Sequence, residues 1–95
     1  MELNDFESLV GTAFTVRAGE GTVSLRLEKA EKLPNRSGAR KGRTAPFSLL
    51  FSGPAAEALK QGMFQLEHIH TAPSNIFIVP VAQENDTLYY EAVFN

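Results

Sequence analysis

Hydrophobic and polar residues alternate with a period of two along most of the chain, which is the pattern of β-strands with one buried face. In the first such segment, Phe14 and Val16 alternate with Thr15. Gly19-Glu20-Gly21 then provides a turn into the second segment, so the two predict a hairpin. The segments that the pattern predicts as strands are residues 13–18, 22–33, 46–52, 63–70, 76–82 and 88–95.

Three segments depart from simple alternation. The second strand loses its phase near Ala30, which predicts either a β-bulge or an exposed edge. Residues 76–82 are apolar on both faces, which predicts a strand covered on both sides, with Pro80 at a bulge or an unpaired position. Residues 71–75 are rich in turn-forming side chains and are predicted to be a loop.

A short helix is predicted near the N-terminus. Phe6, Leu9 and Val10 share one helical face, and Asn4 or Asp5 is a suitable N-cap residue. Two turns of helix do not stand alone in water, so we expect this helix to cover the core.

The sequence therefore predicts a single, mainly β domain over residues 1–95. We expect an antiparallel six-stranded meander curled into a small barrel, because a flat sheet of this size would leave one apolar face in water. One short helical turn is expected within residues 55–60. The predicted core comprises Phe14, Val16, Val23, Leu25, Leu27, Phe47, Leu49, Phe51, Phe64, Leu66, Ile78 and Phe94.

Composition narrows the function classes. The 95 residues carry a net charge of −2 and no cysteine, which excludes disulfides, thiolate metal sites and a cysteine nucleophile. No apolar run reaches the length of a membrane-spanning helix, and the acidic N-terminus does not resemble a signal peptide. These features predict a soluble, cytoplasmic protein.

Several blocks of the sequence resemble a small bacterial family described only as a domain of unknown function. The blocks are Asp5-Phe6, Leu9-Val10-Gly11, Pro46-Phe47-Ser48-Leu49-Leu50-Phe51, Gly53-Pro54, Gln61-Gly62, Leu66-Glu67-His68, Ile78-Val79-Pro80-Val81 and the terminal Tyr90-Glu91-Ala92-Val93-Phe94-Asn95. Members of that family are often encoded beside tail-collar and tail-fibre proteins of phage type. The resemblance implies a place near a tail-like or surface assembly and supplies no catalytic residues. The sequence departs from the family pattern at Ile69-His70-Thr71-Ala72, where a proline-led turn is usual.

A basic segment is the most distinctive charged feature. Residues 26–43 carry seven cations and two acids, and the remaining residues are acidic overall. Within the predicted loop 34–45, the candidate interaction residues are Arg36, Arg40, Lys41 and Arg43. Three interpretations stay open: contact with an acidic protein surface, which includes that of a neighbouring copy, contact with nucleic acid, or a solvated loop. The sequence pI of about 5.6 and the lack of interleaved aromatic residues weigh against nucleic acid.

The candidate catalytic and metal-binding side chains are few. His68 and His70 share one face of a predicted strand, a spacing at which two imidazoles reach one metal ion, but no third ligand is evident and Glu67 points to the opposite face. Ser48 and Ser52 lack the Gly-x-Ser-x-Gly setting of a nucleophile. We therefore predict no metal, no cofactor and no catalytic residue.

Glu67 and Glu91 are carboxylates in otherwise apolar strands. They would form an acid and base pair if the barrel brought them together, but we favour a solvent-facing position beside lysine or arginine. The function expected from the sequence is a non-enzymatic structural or protein-interaction module. The alternatives are anion or nucleic-acid binding through residues 34–45 and a histidine- or metal-dependent enzyme.

Overall fold

A computed structural model describes residues 2–34 and 46–94. The helix α1 spans Leu3–Glu7, and a 3₁₀ turn spans Ala55–Glu57. The strands are β1 (Ala13–Ala18), β2 (Gly21–Lys32), β3 (Phe47–Pro54), β4 (Gly62–His68), β5 (Thr71–Glu84) and β6 (Thr87–Phe94).

The six strands form a closed antiparallel barrel in the order β1-β2-β3-β6-β5-β4. The predicted mainly β, six-stranded barrel with a short N-terminal helix and one short helical turn is thus confirmed. The strand order differs from that of one continuous meander, because β6 rather than β4 lies next to β3. A first meander (β1–β3) and a second meander (β4–β6) meet where β3 pairs with β6 and β1 pairs with β4. The residues between β3 and β4 therefore carry the chain across one end of the barrel.

The barrel interior is filled by the inward side chains that the alternation predicted. Ten of the twelve predicted core residues are buried, and Phe64 and Phe94 are partly buried against the same cluster. The buried residues beyond that predicted set are Phe6, Leu9, Leu59, Ile76, Tyr90 and Ala92. One hydrophobic core therefore extends from end to end of the barrel.

Aromatic rings close the end of the barrel that α1 covers. The fully buried Phe6 ring lies 5.9 Å from the Phe47 ring and 5.8 Å from the Phe94 ring, between centroids. Phe47 and Phe94, which are register partners on β3 and β6, stack at 4.6 Å. The helix thus covers the core as predicted, although Val10 does not join it and is 44% exposed.

The helix begins earlier than the sequence indicated. Its N-cap is Glu2 rather than Asn4 or Asp5, and Asp5 Oδ2 accepts the Glu2 backbone N–H at 2.8 Å. An acidic side chain in the first turn satisfies a backbone donor that the helix itself leaves free. Asp5 therefore acts from within the first turn rather than as the cap.

A buried tyrosine fixes the opposite end of the barrel. The Tyr90 hydroxyl oxygen accepts the backbone N–H of Leu59 at 3.0 Å, and both side chains are buried. Nearby, the Ala55 N–H donates to the Asp86 carbonyl oxygen at 2.8 Å. These two bonds hold the crossing segment between β3 and β4 onto β6 and the turn before it.

Both predicted bulge regions show a register irregularity. The β2–β3 register shifts between Leu27 and Lys29, and the β5–β6 register shifts between Pro80 and Ala82. The predicted loop at 71–75 is wrong, because β5 begins at Thr71 and pairs with β4, which ends at His68 rather than residue 70. Pro73 lies at a third register shift, where proline removes no regular ladder bond.

Candidate functional site

The outer surface of the second meander exposes large apolar side chains. Met63 on β4 and Phe77 on β5 are register partners, and they are 66% and 46% exposed. Val81 on β5 is 50% exposed and Val93 on β6 is 47% exposed. We call these four residues the outer apolar face. Among the described residues, these four and Val10 and Ile69 are the exposed large hydrophobic side chains.

Phe77 and Val93 point outward because their neighbours fill the barrel. Phe77 lies between the buried Ile76 and Ile78, and Val93 follows the buried Ala92. Successive strand residues point to opposite faces, so an apolar residue beside an inward one must face out. The prediction that residues 76–82 are covered on both faces is therefore wrong. In a closed barrel only the inner face of β5 meets the core.

The second meander also lacks basic residues. All nine lysines and arginines lie within residues 1–60, and residues 61–95 contain none. The acidic residues of that second stretch are Glu67, Glu84, Asp86 and Glu91. The strands that carry the outer apolar face thus bear carboxylates and no lysine or arginine, which favours a partner with neutral or basic groups there.

The outer surface of the first meander is polar, and three of its cations lie beside carboxylates. The ion pairs there are Arg17–Glu67 at 2.9 Å, Arg26–Glu28 at 3.6 Å and Lys29–Glu31 at 2.6 Å. The Glu31 carboxylate raises the pKa of Lys29, first through its hydrogen bond and then through its negative charge. This face is a solvated surface on which ion pairs hold three of the cations.

The two histidines occupy different environments. The His68 ring packs on Phe14 with 4.5 Å between ring centroids, whereas His70 lies exposed in the turn between β4 and β5. The Thr12 hydroxyl donates to the Leu9 carbonyl oxygen at 2.6 Å, so its oxygen accepts the Nε2–H of His68 at 3.0 Å. The Nδ1 atom of His68 accepts the backbone N–H of His70 at 3.0 Å. These bonds require neutral His68 with its proton on Nε2.

This bonding occupies both ring nitrogens of His68. Burial lowers the pKa of His68, and the nearby His70 lowers it further. Within residues 2–34 and 46–94 no group of three histidine, aspartate or glutamate side chains is placed to hold a metal ion. His68 thus joins the α1–β1 connection to the end of β4, and its geometry suits a structural contact.

The two serines considered as nucleophiles lie away from the histidines. Ser52 is buried and donates to Glu28 Oε2 at 2.6 Å, the oxygen that also faces Arg26. Ser48 lies on the outer surface of β3 beside a shallow depression of about 140 Å³ that Lys29 and Glu91 also line. A carboxylate partner fixes the Ser52 hydroxyl, and both serines lie on β3, which is not adjacent to β4, the strand that carries His68.

The two candidate carboxylates are not brought together. Glu67 forms its ion pair with Arg17 across β4 and β1, as the solvent-facing interpretation predicted. Glu91 lies on the exposed side of β6, opposite Leu50 of β3 and Val79 of β5. Since β5 separates β4 from β6, the structure assembles no acid and base pair from them.

The sequence-predicted interaction residues cannot be placed. Arg36, Arg40, Lys41 and Arg43 lie outside the described residues. Sequence reasoning missed the outer apolar face, although its signal was present. A strand with apolar residues at both phases, in a stretch without lysine or arginine, indicates an exposed apolar surface once the barrel is known to close.

Two further surface properties complete the description. An open hollow of about 420 Å³ lies between β1 and the end of β4, lined by Thr15, Glu67, His68 and the almost fully exposed Ile69, among others. Across the part of the chain that the structure describes, no helix is long and apolar enough to span a membrane.

Comparison with known proteins places the chain in a family without an assigned activity. A family model described as a domain of unknown function, DUF6916, matches residues 1–94. Neither the curated proteins nor the solved structures contain a match to the chain. The fold and the surface chemistry must therefore carry the functional argument.

Proposed function

The chain belongs to the DUF6916 family, and we propose that it is a non-enzymatic protein-interaction module that binds its partner through the outer apolar face. One observation carries this proposal. Met63, Phe77, Val81 and Val93 are exposed on three adjacent strands of a closed barrel, and Met63 and Phe77 are register partners. Contiguous apolar surface rimmed by polar groups is characteristic of interaction sites on soluble domains.

Energetics support a binding role for this surface. Full burial of one large apolar side chain contributes roughly 1.5–3 kcal/mol, so a contact that covers several of them contributes a useful share of an affinity. The closed antiparallel barrel offers a platform for such a contact, because each strand that carries the face is paired with neighbouring strands. Rigid surfaces lose little entropy when they bind.

We place the partner in a tail-like or surface assembly. The family resemblance supports this setting, because related domains are often encoded beside tail-collar and tail-fibre proteins of phage type. A small barrel with one exposed apolar face is suited to attachment to a larger structural protein. The assembly thus supplies the apolar surface that covers the outer apolar face.

A matched pair of variants tests the binding face. The double change Met63→Lys and Phe77→Lys places two charges on the outer apolar face, and the control Ser24→Lys adds a charge on the exposed side of β2. Tagged proteins are used to capture partners from the source cell, with quantitative mass spectrometry as the measurement. We expect the double variant to lose a protein that the wild type and Ser24→Lys both retain. Equal capture by all three proteins would contradict the proposal.

A second candidate function rests on the charge distribution. Arg17, Arg26 and Lys29 are each paired with a carboxylate, so much of the remaining positive charge of residues 1–60 comes from Arg36, Arg40, Lys41 and Arg43. These four residues would attract an anionic partner, an acidic protein surface or nucleic acid. Their joint replacement by serine, followed by fluorescence titration with duplex DNA at two salt concentrations, tests this candidate. A steep, salt-dependent affinity of the wild type that the variant lacks would support nucleic-acid binding.

A further inference from the structure

The pairing between β5 and β6 stops before either strand ends. The register runs from Glu84↔Thr87 to Val79↔Glu91 and goes no further. Beyond the Val79↔Glu91 pair, β5 still includes residues 71–78 and β6 still includes residues 92–94. Residues 71–78 of β5 and residues 92–94 of β6 have no register partners on each other's strand, and we call this unpaired boundary the open seam.

The two strands that flank the open seam are each held on their far side only. Residues 71–78 of β5 pair with β4, and residues 92–94 of β6 pair with β3. In an antiparallel ladder alternate residues direct their N–H and C=O groups to the same neighbour. In the described part of the chain, the alternate groups of 71–78 that face β6 therefore have no strand opposite them.

Ser74 lies on the inner face of the same stretch. Its hydroxyl oxygen is buried and has no hydrogen-bond partner among the described residues. It shares the inward phase of β5 with the buried Ile76 and Ile78, so it does not belong to the strand edge. The edge itself is marked by the missing register with β6, and an unpaired strand edge is a template for another strand.

We propose that the open seam accepts an extended segment of a partner protein, which adds to β5 as a further strand and carries apolar residues at alternate positions with lysine or arginine beside them. This inference rests on the proposed function and names its mode of recognition. Main-chain hydrogen bonds to an exposed strand provide affinity in such complexes, and alternate side chains provide specificity.

The side chains on either side of the open seam define the chemistry of the segment. Phe77 stands on the β5 side and Val93 on the β6 side, both exposed. An added strand would set its outward side chains against these two, so apolar residues are favoured there. The nearby carboxylate of Glu91 and the absence of lysine and arginine from residues 61–95 favour a basic flank.

The same charges disfavour a second copy as the occupant. A two-fold contact across the open seam would set Glu91 near the Glu91 carboxylate of the second copy. Like charges placed together oppose association, whereas a basic segment relieves them. The outer apolar face and the open seam therefore fit a different protein.

Defined peptides test the mode of binding. The probe is the fluorescein-labelled peptide Lys-Val-Thr-Val-Thr-Val-Thr-Val-Lys, and its charge-reversed control has glutamate at both ends. Fluorescence anisotropy with the full chain is expected to show binding that is at least about tenfold tighter for the lysine-ended peptide at low salt. Hydrogen exchange of the amides in 71–78 should slow when this peptide binds.

N-methylation separates strand addition from side-chain contact. Two versions of the probe carry N-methyl groups on alternate residues, one on each edge of the strand, with unchanged side chains. Strand addition predicts that at least one version loses about tenfold or more in affinity, because its donors to β5 are removed. If neither version loses affinity, the segment contacts the face without pairing, and this inference is wrong although the proposed function stands.

Two variants complete the test. Phe77→Lys and the milder Phe77→Thr should each weaken the lysine-ended peptide, while Ser24→Lys should bind it as the wild type does. Absence of binding to the wild type at millimolar peptide would overturn the inference, and partner capture from the source cell would then judge the proposed function alone. A dimer in light scattering that Phe77→Thr dissociates would show that a second copy is the occupant and would also overturn it.

Discussion

The two meanders both direct apolar side chains into the barrel, but their outer surfaces differ: the first is charged and the second is partly apolar. On the first meander, Lys29 and Glu31 follow each other at outward positions and form an ion pair at 2.6 Å. On the second, Phe77 and Val93 are exposed on strands without a single lysine or arginine. A closed barrel buries only one face of each strand. Apolar residues at both phases of a strand in such a fold therefore identify an outer contact surface rather than a central strand.

The largest expected effect tests the inner face that both meanders share. Leu49→Ala removes a fully buried side chain from the middle of β3 and should lower the free energy of unfolding by about 2–5 kcal/mol. Its neighbour Leu50 points outward and is half-buried, so Leu50→Ala should cost clearly less. Urea unfolding of both variants provides the measurement. Equal losses would show that the inner and outer faces of β3 are not distinct.

A smaller effect tests the connection between the meanders. Tyr90→Phe keeps the buried ring but leaves the Leu59 N–H without its acceptor, which should cost about 1–3 kcal/mol of unfolding free energy. Tyr89→Phe is the matched control, because Tyr89 lies on the outward phase of the same strand and is half-buried. Thermal unfolding of the two variants compares them directly. If the control loses as much stability, the hydrogen bond to Leu59 is not the cause.

The pH dependence of stability tests the contact between α1, β1 and β4. The pKa of His68 is lowered in the folded protein, so between that pKa and the usual value of 6.5 the unfolded chain binds more protons. The contribution of His68 is therefore complete above pH 6.5 and is lost as the pH falls through the lowered pKa. Chemical unfolding at pH 8 and at mildly acidic pH should show this loss. In His68→Gln the part of the pH dependence due to His68 should vanish, while His70→Gln should retain most of it.

The smallest expected effect concerns the outer apolar face itself. Phe77→Lys should change the free energy of unfolding by no more than about 0.5 kcal/mol, as at ordinary surface sites. The adjacent Ile78 is fully buried, and Ile78→Lys should prevent folding because it places an unpaired charge in the core. Circular dichroism with thermal melts distinguishes the two. A strong destabilisation by Phe77→Lys would mean that the Phe77 side chain packs within the folded domain. The second meander would then have no exposed apolar surface at this position to set against the polar surface of the first.

The alternation of hydrophobic and polar residues predicted most of the strands, because inward residues are apolar in any barrel of this kind. Phe14, Val16 and Leu49 required only the period of two to be assigned to the core. The start of β5 was missed, because Pro73 and Asn75 are common in loops and nothing local shows that β4 provides a partner for them. Tertiary pairing overrides such propensities.

Contacts between distant positions were beyond the sequence pattern. The bond between Thr12 and His68 joins residues 56 positions apart, and the Tyr90 bond to Leu59 depends on the order of strands in the closed barrel. Neither leaves a periodic signal in the chain. The apolar residues of the outer apolar face are visible in the sequence. That they point outward follows only from the closure of the barrel.

The junction of the two meanders also bears on how the chain folds during synthesis. β3 pairs with β6, which is made after β4 and β5, and Arg17 of β1 meets Glu67 of β4, which lies 50 positions later. Contacts between such distant positions form slowly, because a long stretch of chain must be ordered before they are gained. The inner face of the first meander therefore stays partly uncovered until residues 87–94 have left the ribosome and β6 can pair with β3. During that interval the nascent chain is most exposed to aggregation and to chaperones.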